Sequence, residues 1–125
     1  MDPDAPAPVS APRKGPRILV VSPNRSHLAL LARRLGEEGY RIVAAESGAK
    51  ALTELGRTGA DLVLSELVME PMSGTDLTRA IRGEAAWRDL PIMLISGRSE
   101  PNGAVRAYEA GADDVILKPF HFEVL

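Results

Sequence analysis

The chain has 125 residues, 45% of them hydrophobic, which suits one ordinary core in a single domain. Fifteen basic against seventeen acidic residues give a formal net charge of -2, which supplies no electrostatic footprint for DNA or RNA and argues against direct nucleic-acid binding. Cysteine is absent, so disulfides and thiolate metal sites are excluded, and no apolar run approaches the roughly 18–20 residues of a membrane span or forms a signal-peptide core. A soluble, cytoplasmic chain without membrane contact is expected.

Residues 1–16 carry five of the ten prolines and little that could anchor to a core, so they read as a disordered, proline-rich tail. From Arg17 onward, short β-branched runs alternate with helical patterns, the signature of a parallel sheet with crossover helices. The expected strands are Ile18–Val21, Arg41–Ala44, Leu62–Ser65, Ile92–Ile95 and Val115–Leu117. Between the first two, Leu28, Leu31, Ala32 and Leu35 form an apolar stripe that ends before Gly39. Ser47 can cap the next helix, with Ala51, Leu52 and Leu55 on its buried face. Ser73 and Asp76 match a capping box, which places a third helix just beyond Gly74. A fourth opens near Pro101 and closes at Gly111. After Pro119 only Phe120 to Leu125 remain, about 9 Å of helix at 1.5 Å per residue. The last helix therefore reads as truncated, and residues 17–125 as the N-terminal domain of a longer protein.

In an open parallel sheet, chemistry collects at the carboxyl ends of the strands. Here the first strand runs into Ser22-Pro23-Asn24, the third into Glu66, the fourth into Ser96-Gly97 and the fifth into Lys118-Pro119. Polar residues from separate strands are thus expected to converge on one pocket. The segments ILVVSPN, DLVLSELVMEPMSG, PIMLISG and GADDVILKPF, in this order and spacing, resemble the receiver domain of two-component response regulators from about Arg17 to Leu125.

That resemblance implies a flavodoxin-like (βα)5 three-layer α/β sandwich with parallel strand order 2-1-3-4-5 and a cis bond at Lys118-Pro119. It also implies a phospho-accepting Asp ending the third strand and an acidic pair holding Mg²⁺ after the first. A hydroxyl residue ends the fourth strand and a Lys ends the fifth. Lys118 and Ser96 match. Glu66 stands in the acceptor position, Ser22 and Pro23 stand where the acidic pair belongs, and Val115 stands where an aromatic switch residue is common. Glu70 has moved a proline one place on, to Pro71. The pattern implies an atypical pseudo-receiver, whose extra methylene lets Glu66 reach toward Lys118 and Ser96 and place its charge where a phosphorylated Asp would put its own.

Without the acidic pair, little is left to attract Mg²⁺, which prefers octahedral oxygen ligands including carboxylates. No cofactor and weak or absent Mg²⁺ binding are expected. The chain is expected to act as a signalling module rather than an enzyme, through contact with a protein partner or a C-terminal output domain, with homodimerisation a further option. One alternative keeps phosphorylation by a histidine kinase on Glu66, or less plausibly Ser65. A flavodoxin-like enzyme or FMN-binding protein is a third reading, disfavoured because SPNRSH has two serines and the chain has five aromatics.

Plainer readings stand beside these. Glu66 can be a solvated strand-end acid, Ser96 can satisfy a strand-end backbone group, and Ser22-Pro23 can be an N-cap followed by a first-turn proline. His27 and His121 read as surface residues and Met69 and Met72 as gap-fillers. Trp87 is expected to pack over a loop. No phosphate-cradling glycine motif is present around Gly48, Gly97 or Gly103.

Overall fold

The computed structural model describes residues 15–97 and 103–117. Five parallel strands form one sheet: β1 (Arg17–Val21), β2 (Arg41–Ala45), β3 (Leu62–Glu66), β4 (Ile92–Ser96) and β5 (Asp114–Leu117), in the order β2-β1-β3-β4-β5. The crossovers are α1 (Arg25–Glu37), α2 (Gly48–Thr58), α3 (Gly74–Arg82) and α4 (Gly103–Ala110), with a 3₁₀ turn at Ala85–Trp87. The expected strands agree with the observed ones to within one residue at each end. Residues 1–14 of the proline-rich tail, Pro101, the Lys118-Pro119 bond and the shortened last helix lie outside the described residues, whereas Gly15 and Pro16 of that tail accept from Arg41. Among the described residues a cis peptide bond occurs at Glu70-Pro71.

Strand pleating sorts the core into two layers, because successive side chains point to opposite faces. Leu19, Val21, Val63, Ile92 and Leu94 meet Ala51 and Leu55 of α2, Leu77 and Ile81 of α3, and Ala107 of α4. On the other face Ile18, Val20, Leu64 and Ile95 meet Leu28, Leu31 and Leu35 of α1. The Val, Leu and Ile side chains among these are at least nine-tenths buried, so each is worth about 1.5–3 kcal/mol of transfer free energy. Trp87 is partly buried against the first layer, as are Met72 and Val115.

The helix ends follow local chemistry. The Ser47 hydroxyl accepts from the Lys50 N–H at 3.1 Å. Ser73 and Asp76 form the reciprocal capping box, with bonds of 3.0 and 3.2 Å. Gly111 closes α4 at φ 113°, a left-handed conformation that side chains other than glycine adopt at a cost. At α3 the sheet dictates a glycine for a different reason. A Cβ on Gly74 would collide with the Glu66 carbonyl oxygen and lie 2.9 Å from Leu67 Cα. The Gly74 N–H donates to Leu67 O at 2.8 Å, so the helix start is seated directly on the end of β3.

The start of α1 differs from expectation. Ser22 is not its N-cap, nor is Pro23 its first residue. The Ser22 N–H still bonds Ala45 O at 3.1 Å, which prolongs the β1 ladder, and its side chain is fully buried. The cap is Asn24, whose side chain accepts from the His27 N–H at 3.0 Å. Asn is as good an N-cap as Ser, and here it is the first such residue free of the sheet.

Candidate functional site

The register places three polar residues at neighbouring strand ends. Val21 lies opposite Ser65 and Glu66 opposite Ile95, so Ser22, Glu66 and Ser96 terminate β1, β3 and β4 side by side. Alternation then selects the face. Glu66 follows Leu64, and Ser22 follows Val20, into the layer covered by α1. Glu66 is 6% exposed and is therefore not a solvated strand-end acid.

A carboxylate this deeply buried is costly unless hydrogen bonds satisfy it. Its Oε2 lies 2.5 Å from Nδ1 of His27, in the first turn of α1, and 3.5 Å from the Ser22 hydroxyl. His27 is thus a component of the site and not a surface residue; its side chain is 25% exposed. Ser22 in turn accepts from the Asn24 N–H at 3.2 Å, so the turn that carries His27 is fastened to the residue beside Glu66. A signal for His27 was present in the sequence. With β1 adjacent to β3, a first-turn residue after β1 hangs over the end of β3.

The remaining expected residues divide. The Ser96 hydroxyl donates to Gly97 O at 3.1 Å rather than reaching Glu66, which is the strand-end role. Val115 is half-buried, and its N–H donates to the Tyr108 hydroxyl and the Asp114 carboxylate. Pro23 is exposed and offers no donor or acceptor in its side chain. Lys118 and His121 lie outside the described residues. Asp113 is committed elsewhere, accepting from Arg82 at 2.9 Å and from the Ile92 N–H at 2.8 Å at the opposite end of the sheet. Met69 is buried beside the Ser65 hydroxyl, as expected of a gap-filler.

Against known families, residues 18–125 match the model of the response regulator receiver domain. The chain belongs to that family. It is 34% identical over 103 residues to the transcriptional regulatory protein KdpE of Mycobacterium tuberculosis, covering 82% of this chain and 44% of that protein. It is 36% identical over 105 residues to the transcriptional regulatory protein PrrA of Mycobacterium leprae, covering 84% and 44%. The receiver thus spans less than half the length of these curated relatives. Among solved structures it resembles the signal receiver domain of a signal transduction histidine kinase from Syntrophus aciditrophicus, with TM-score 0.82, 34% identity, and 88% and 83% of the two chains covered. A response regulator receiver protein from Pseudomonas putida gives 0.81, 31%, 88% and 91%. The chain is a receiver domain of two-component signalling with the flavodoxin-like fold.

Receivers imply a Mg²⁺ site, and the donor set of this receiver fits that ion poorly. Glu66 brings one carboxylate, whose Oε2 is already engaged by His27 and Ser22. Ser22 is neutral and the Pro23 side chain has no ligand atom. Glu46, the next acid in the chain after β2, pairs with Arg25 at 3.1 Å. Among the described residues no three His, Asp or Glu side chains gather as a metal-binding group, whereas Mg²⁺ rests on carboxylates, phosphate and water in near-octahedral array.

Proposed function

We propose that this receiver signals by protein contact, without phosphoryl transfer, to a partner or to an output domain carried on the same protein in the cytoplasm. The observation that carries this reading is the bonding of Glu66. Phosphoryl transfer relies on positioning and on metal neutralisation of charge. The carboxylate in the acceptor position is one methylene longer than Asp and is held by His27 at 2.5 Å in a buried setting. Attack through Oε2 would have to break that contact, and the residues in the acidic-pair position supply no second carboxylate. Both effects disfavour an acyl phosphate on Glu66. They favour a carboxylate that ties α1 to the end of β3 and maintains one arrangement of the sheet rim.

Two kinds of support join here. Family membership supplies the signalling role, and the substitutions at Ser22, Pro23 and Glu66 supply the argument that the covalent switch is lost. Incubation with phosphoramidate and Mg²⁺, followed by intact-mass measurement, tests the reading. The expected result is an unmodified chain. Addition of one phosphoryl group that Glu66→Gln abolishes would overturn it and restore a phosphorylated receiver.

A further inference from the structure

We propose that the cleft between α3 and α4 binds a small organic anion, with a phosphate or carboxylate head and a compact apolar body. The cleft has a volume of about 280 Å³ and opens beside the loop that follows β3. Its walls include Val68, Met69, Thr75, Asp76, Arg79 and Arg106. Two guanidinium groups against one carboxylate make it locally basic on a chain whose net charge is -2.

The donors of these arginines are not consumed by the fold. Arg106 makes no hydrogen bond or ion pair among the described residues. Among the described residues Arg79 has only Asp76, at 3.6 Å, too long for a hydrogen bond. The other oxygen of Asp76 is occupied in the capping box, accepting from the Ser73 N–H at 3.2 Å. Arg82, one turn further along α3, shows what a structural arginine looks like here. Its guanidinium donates to Gly111 O, Trp87 O, Leu90 O and Asp113 at 2.6–3.2 Å. Arg79 and Arg106 instead face one opening from two helices, and planar guanidinium forks match phosphate and carboxylate oxygens in bidentate fashion.

The rest of the lining defines the body of the ligand. Val68, 57% exposed, and the buried Met69 supply the apolar part of the wall. Thr75 adds a half-buried hydroxyl with no protein partner among the described residues. A ligand engaging both arginines would clamp α4 to α3 over a residue two places beyond Glu66. Such a ligand would give this receiver a non-covalent input, and its binding does not depend on whether Glu66 can be phosphorylated.

The test is a titration of the ¹⁵N-labelled 125-residue chain with phenyl phosphate at constant ionic strength, with phenol and sulfate in separate arms. Saturable amide shifts are expected along residues 67–69, 75–79 and 103–106, with an apparent Kd in the millimolar range or tighter, and about tenfold weaker binding in R79Q/R106Q. Glu66→Gln is expected to leave that affinity unchanged, which separates this site from the acceptor position. Shifts that do not saturate, that phenol or sulfate reproduces alone, or that persist undiminished in R79Q/R106Q would overturn the proposal. Both arginines are exposed, so the double variant should fold; if its spectrum loses dispersion, R106Q alone decides by the same criterion.

Discussion

The ion-pair contact between His27 and Glu66 can be measured as a coupling energy. Removing one partner of a fully buried ion pair costs about 3–5 kcal/mol, and an exposed pair contributes about 0.2–1 kcal/mol. The contact is short, at 2.5 Å, and the two side chains are 25% and 8% exposed, so solvent competes for it only in part. His27→Ala should therefore cost about 2 kcal/mol, because it removes one partner of a pair that is only partly exposed. The backbone cap should survive, since Asn24 accepts from the His27 N–H and not from its ring. In a Glu66→Leu background the same change should cost about 0.5 kcal/mol, because only the packing of the ring is lost. The double-mutant cycle should thus close with a coupling near 1.5 kcal/mol. Urea unfolding at pH 7 reads this directly: at an m-value of about 2 kcal/mol/M, His27→Ala lowers the midpoint by about 1 M in the parent and about 0.25 M in the variant background. A coupling below about 0.5 kcal/mol, the level at which independent sites are additive, would refute the claim that His27 anchors the carboxylate.

Three further outcomes are expected. Gly74→Ala should destabilise the domain by about 1–3 kcal/mol in urea unfolding, because its Cβ meets backbone at the end of β3 and not a flexible side chain; an unchanged midpoint would show that α3 can lift off the strand. Arg82→Met should cost about 2–4 kcal/mol by the same assay, since one guanidinium satisfies three carbonyls and Asp113, whereas Arg106→Gln should stay within about 0.5 kcal/mol of the parent. Mg²⁺ up to about 10 mM should leave the amides of residues 22, 66 and 67 unmoved in an NMR titration, given the shortage of carboxylates there; saturable shifts confined to those residues would contradict the donor inventory.

Much of the fold was legible because the signals are local. The β-branched runs fall on β1 to β5 to within a residue, since a strand buried on both faces needs continuous apolar side chains. Ser47 and the Ser73–Asp76 pair announced two helix starts because a cap is satisfied within four residues of chain. At Ser22 the same reasoning went wrong. Ser and Asn compete as caps within three residues, and the contest was decided by Ala45, whose carbonyl holds Ser22 in the sheet. Glu66 was recognisable as the odd residue at a strand end from sequence alone, yet its contact with His27 was not. Ser96 turned to its own neighbour, Gly97, and His27 came in from α1.

By itself, then, the sequence determined which segments become strands and helices, the two-layer core, and the identity of the residue in the acceptor position. Each of these depends on side-chain type and on short-range spacing. Tertiary structure alone decided that His27, 39 positions away in sequence, overhangs Glu66, and that α3 and α4 turn two arginines toward one cleft. Those juxtapositions depend on crossover geometry and on which face the pleat presents, and no single residue encodes either.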